Sequence, residues 1–399
     1  MHDLADPDSL IGTPTAAERG NLSIVYAWRA VAAIWILATA IIRTAWPGEG
    51  FAGHTIFLGS YPLAVFAVLS GFVLGLGVTT SGRPEMPDLR IFAAKRLVRF
   101  VPIVWAAVLV TIALDGLWLG DVSGTAWDAT LPLSASASVV QMFFLGGFVT
   151  NTGPNPGAVG VALLVHCSIA FPALLWVWRR VGAVFMSAIG LVIVALAELV
   201  DSTRIGPTTL AIGLFAFGMG VAGVATEPGL IPAARRAAPW WIVATAVSGV
   251  LALALAIAGP YRFLGHQPLV SIGIAIVVAA TVLHVMDNPV SYAARVANFY
   301  PVRAVGVMSL SLCLMSGLVV QVLWKIFCEG SGLSSGAVAV ILTLGSPFAF
   351  AIAIETAHWF ERPCLAGPDR DAFFVQIKLL DAAAPAVQHA QSELAPPST

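Results

Sequence analysis

The side chains best suited to chemistry are few, and the most specific pattern among them is cationic. In the segment IFAAKRLVRFVPIVW, Arg96 and Arg99 stand three residues apart, a spacing that puts both on one face of a helix. Two guanidiniums so placed suit bidentate contacts to a phosphate or pyrophosphate. The same pair also fits the tendency of cytoplasmic loops to collect cations near lipid headgroups, and the pattern by itself allows both readings. Arg29 lies about one turn into the first apolar stretch, where it can face a ligand or snorkel to the interface. His166, in VALLVHCSIAFP, is the deepest titratable group and the candidate general base. A lone histidine in a span also serves as a hydrogen-bonded packing residue. Glu198, beside Asp201 and Arg204, reads as an interfacial charge. Glu355 and His358, with Glu361 and Arg362 one turn further on, read as an ion network at the inner interface.

The elements that must position these groups follow from composition. Hydrophobic residues make up 58% of the 399-residue chain, charged residues 10%, and the mean hydropathy is +0.90. Ordinary globular domains carry roughly a quarter charged residues, so this composition belongs to the bilayer. Twenty Lys and Arg against 21 Asp and Glu leave no basic field, which excludes nucleic acid as a partner. Cys167 and Cys313 fall in apolar stretches, Cys364 in the tail and Cys328 in a loop, with no metal-ligand spacing among them. Neither a disulfide framework nor a metal site is expected.

Apolar stretches at about 24–44, 57–78, 101–119, 157–178, 182–200, 208–226, 240–259, 268–286, 304–326 and 337–358 predict ten spans in an all-α polytopic membrane bundle. Pro102 stands where a first helical turn tolerates proline, which starts the third span near residue 101. The stretch 136–149 is shorter than a span. If it does not cross, fifteen of the 20 cations lie inside, only Arg43, Arg204, Arg262 and Lys325 lie outside, and Arg29 sits within the first span. The positive-inside rule therefore favours ten spans, both termini cytoplasmic, and 136–149 as a re-entrant or surface lid over an outward cavity. Residues 1–22 are expected to form a disordered tail, 23–366 the membrane domain and 367–399 a cytoplasmic tail.

Several segments in this order resemble the acyltransferase-3 family of ten-span membrane O-acyltransferases. They are YAWRAVAAIWILA, the Leu69-Ser70-Gly71-Phe72 run, the Arg96-x-x-Arg99-x-x-Pro102 element, Gly306-x-x-Ser309 and the closing Glu361-x-Pro363. The resemblance implies transfer of an acyl group, commonly acetyl, from cytoplasmic acyl-CoA to a hydroxyl of a glycan, lipid or small-molecule acceptor. It also implies donor contacts at Arg96 and Arg99, with Arg29 as a third candidate, and a bacterial plasma membrane as the setting. The departures fall at the polar positions of the family pattern. Ala40 and Ser316 stand where it has histidines, and Leu164 where it has a glutamate. Two hypotheses follow: an active acyltransferase with a relocated base at His166, or a catalytically silent relative that binds, moves or partners something in the membrane.

Overall fold

A membrane span must satisfy its own backbone hydrogen bonds, and helices do so without a neighbour. The computed structural model describes residues 22–46, 61–79, 88–120, 122–125, 127–128, 134–146, 153–200, 206–226, 242–250, 267–361 and 363, and all regular structure among them is helical. The helices are α1 (Ser23–Ala45), α2 (Tyr61–Val78), α3 (Leu89–Leu114), α4 (Ala135–Met142), α5 (Pro156–Val181), α6 (Ala183–Val200), α7 (Gly206–Thr226), α8 (Gln267–Asp287), α9 (Tyr292–Ala297), α10 (Tyr300–Val307), α11 (Ser309–Phe327) and α12 (Ser335–Thr356). Eight of these, α1, α2, α3, α5, α7, α8, α11 and α12, are long and apolar enough to cross a bilayer. The protein is an integral, multi-pass helical bundle. The expected span at 182–200 corresponds to α6, a helix whose apolar part, Ala183–Ala197, is shorter than those eight. The one at 240–259 lies mostly outside the described residues, of which 242–250 are helical.

Three boundaries depart from the sequence reading. The third span begins at Leu89, because Asp88 caps it by accepting from the backbone N–H groups of Arg90 (2.8 Å) and Ile91 (3.4 Å). Pro102 is therefore well inside α3, and Arg96 and Arg99 lie on a helical extension rather than at a helix start. The expected span 304–326 is broken at Met308, which separates α10 from α11. Gly306 presses α10 against the backbone of Tyr26, leaving no room for a Cβ. Finally, α12 continues as a π-helical turn, Ala357–Glu361, just as α3 continues as Asp115–Leu119.

The segment expected not to cross contains α4, whose eight residues rise only about 12 Å. Ser134 caps it, the Trp105 indole donates to Met142 O (2.9 Å), and Gln141 ties its end to α5. Lipid tails are as apolar as leucine, so spans associate through close packing rather than a hydrophobic gain. Accordingly α7 lies between α2 and α6 at backbone contact. A Cβ at Gly71 would strike Phe215 O and one at Gly218 would strike Val68 O, while Gly213 and Gly190 meet on the α6 side. The Leu69-Ser70-Gly71-Phe72 run thus serves packing, with Leu69 and Phe72 buried.

Candidate functional site

A cavity of about 310 Å³ is walled by α1, α2, α5 and α11 and flanked by Trp127. Ala40 from α1, Leu164 from α5 and Ser316 from α11 all line it. Positions 124 residues apart in Ala40 and Leu164, and further still in Ser316, are brought together only by the tertiary fold. None of the three carries an acid or a base. The Ser316 hydroxyl donates a long bond to Cys313 O (3.4 Å), and Thr39 donates to Trp35 O (2.9 Å). Among the described residues the lining holds no carboxylate and no imidazole, and Arg43 is its one cation. The Nε of Arg43 is buried without a hydrogen-bond partner among the described residues. This wall can hold an apolar or mixed ligand and offer it positive charge, but among its described residues none can take a hydroxyl proton.

The cavity rim is built around Asn155, which is 1% exposed. Its Oδ1 accepts from the N–H groups of Gly157 (2.9 Å) and Ala158 (3.3 Å), capping α5. Its Nδ2 donates to Thr111 Oγ1 on α3 (3.1 Å) and to Leu314 O on α11 (3.0 Å). Gln141 pairs with both backbone groups of Asn155, donating to its carbonyl (2.8 Å) and accepting from its N–H (3.1 Å). One residue therefore locks α3, α4, α5 and α11 together. The Asn155-Pro156-Gly157 sequence carried the signal, an N-cap followed by proline at N1.

Beside the cavity, Trp127 Nε1 donates to Asp115 Oδ1 (3.1 Å), while Asp115 Oδ2 has no partner among the described residues. Asp115 and Glu361 are the two buried carboxylates among those described, and each sits on a π turn that ends a span. Such turns rotate a side chain off its helical register, and they recur at functional sites.

Glu361 belongs to a second cluster. The terminal π turn packs against α3 and α11, and Ser311 Oγ donates to Glu361 Oε2 (2.6 Å). Arg99 and Arg29 lie within electrostatic reach of that carboxylate, and Arg96 within reach of both arginines. The Arg96 guanidinium lies 5.5 Å from the Phe92 ring centroid, and Phe92 stacks on Phe171 (5.0 Å between centroids), which fixes the approach of α3 to α5. Three guanidiniums against one carboxylate leave a net positive site suited to an anion. Arg29 and Ala40 are eleven residues apart on α1, so cluster and cavity are separated by about 16 Å along that helix.

The other candidate residues lie elsewhere. His166 is buried but does not line the cavity. Its Nε2–H donates to Phe144 O (2.6 Å), and its Nδ1 accepts from Thr208 Oγ1 (3.4 Å). Phe144 is the one non-glycine residue with positive φ among those described, at 58°, so His166 holds a left-handed turn just after α4. Glu355 is exposed and does not join Glu361, because the π turn points the latter inward. The side chain of Glu198 and residues His54, Arg204, Arg362 and Cys364 lie outside the described residues. Cys328 is buried rather than loop-exposed, and Cys167, Cys313 and Cys328 are all free thiols. The sequence reading had Glu361 at the interface and Arg43 only as an outer cation; their inward placement depends on the π turn and the cavity.

Neither a protein-family model, nor a curated protein, nor a solved structure matches the chain.

Proposed function

We propose that the chain is an acyltransferase-3-like membrane protein of a bacterial plasma membrane, with ten spans and both termini cytoplasmic. In this reading it binds an acyl carrier such as acyl-CoA, and acts as a binding, transport or partner component rather than as a transferase. The observation that carries it is the convergence of Ala40, Leu164 and Ser316 on one cavity whose described lining holds no carboxylate and no imidazole. The family pattern has histidines and a glutamate at these three positions, so the departures favour a scaffold that keeps its space without those proton-transfer groups. The Arg29, Arg96 and Arg99 cluster supports an anionic head at the inner end, partly balanced by Glu361. About 16 Å of α1 separates that cluster from Ala40, a span that a pantetheine arm can cover.

The second reading is the full activity implied by the resemblance: acetyl transfer from acetyl-CoA to a hydroxyl of a glycan, lipid or secondary metabolite. The same arginine cluster favours it, since donor binding is common to both. Purified protein in lipid nanodiscs, given labelled acetyl-CoA and envelope glycolipids, separates the two. Binding lost in the R96A/R99A double variant, with no release of free CoA above protein-free nanodiscs, is the expected result. Acetylated product that depends on those arginines would overturn the silent reading. Turnover that disappears in H166A would assign the base to His166.

A further inference from the structure

A second, smaller cavity, about 110 Å³, lies among α2, α5, α6, α7 and α8, and among the described residues no lining side chain carries a nitrogen or oxygen. Such a lining offers water few of the two to four polar partners it needs. It shares Leu63, Gly160 and Leu164 with the larger cavity, so only two leucine side chains and a bare backbone stand between them. Gly160 has no side chain, and a Cβ there would lie 2.5 Å from a Leu63 methyl: Leu63 already uses that space. The partition consists of the free ends of flexible side chains, which rotate at low cost.

We propose that the two cavities form one site for a hydrocarbon chain, and that the ligand's acyl group is of medium length rather than acetyl. The chain enters from the larger cavity, turns past Leu63 and Leu164, and ends against Ala211 and Leu214 on α7. Taking a methylene as about the size of a water's share of liquid volume, roughly 30 Å³, the second cavity accepts on the order of four methylenes. Acetyl would leave it empty and forfeit the contacts of its wall. This inference rests on the reading of the protein as an acyl-carrier binder, and names the class of acyl group.

The test measures binding of acetyl-CoA and octanoyl-CoA to the protein in nanodiscs. It also maps cross-links from octanoic acid bearing a terminal diazirine, which needs no CoA. Each methylene moved out of water is worth about fourfold in affinity. Octanoyl-CoA should therefore bind at least about tenfold more tightly than acetyl-CoA. A211F, and independently L210W, fill the second cavity and should remove that difference while leaving acetyl-CoA binding unchanged. Cross-links should fall on buried Leu163 and Leu214 rather than on Ile169 and Leu196, which are exposed to lipid. Equal affinity for both CoA esters, or labelling confined to Ile169 and Leu196, would overturn the inference while leaving carrier binding intact. Labelling of Leu214 without CoA binding would support the chain site and reject the carrier.

Discussion

Replacing Asn155 tests whether one buried amide holds the cavity rim. Asn155→Ala removes the α5 cap, worth about 1 kcal/mol. It also removes two bonds to neighbouring spans, at 3.1 and 3.0 Å. In soluble proteins an orphaned buried partner costs about 1–3 kcal/mol, which would bring the total to about 5 kcal/mol. Neither acceptor is orphaned here, however. Leu314 O lies within α11 and keeps its intrahelical donor, and the Thr111 hydroxyl still donates to Ala107 O at 2.8 Å. Hydrogen bonds between spans in a bilayer average about 0.6 kcal/mol, because the unfolded state in lipid also finds partners. The expected cost of Asn155→Ala is therefore about 2 kcal/mol. Asn155→Ser keeps a capping oxygen and loses only the two distant bonds, for about 1 kcal/mol. Unfolding by SDS in mixed micelles measures both. A cost below about 0.5 kcal/mol for Asn155→Ala, or equal costs for the two variants, would refute this account.

Other expectations follow from single contacts. Gly71→Ala places a methyl against Phe215 O, where backbone must move, so about 1–3 kcal/mol or more should be lost and the detergent-solubilised protein should cease to be monodisperse by size exclusion. Ser311→Ala removes the 2.6 Å bond to Glu361 and should cost about 1–2 kcal/mol of stability in the same SDS titration, while Ser311→Thr should retain most of it. Burial pushes the Cys328 thiol above its ordinary value of 9.0, and the thiolate is the reactive form. In a variant whose other three cysteines are serine, maleimide labelling of Cys328 should still be accelerating as the pH passes 9; a plateau below that pH would contradict the burial. His166→Ala removes the donor to Phe144 O and should raise amide exchange in residues 134–146, seen by hydrogen–deuterium mass spectrometry.

The amino-acid sequence by itself determined the solvent. So few charges, in stretches of about 20 apolar residues, leave a chain no stable place but lipid, and the cation distribution argued that 136–149 is not a span. The short α4 agrees with that expectation because length and charge are local properties. The π turns were not legible, since Asp115 and Glu361 stand in segments whose composition suits an ordinary helix end. Nor was the start of α3, where the Asp88 cap outweighed the signal of Pro102. The convergence of Ala40, Leu164 and Ser316 on one wall depended on how α1, α5 and α11 pack, and so did the placing of Leu63, Gly160 and Leu164 between that wall and a second, apolar cavity. Packing in lipid is set by small residues and close approach, which no periodicity along a single helix records.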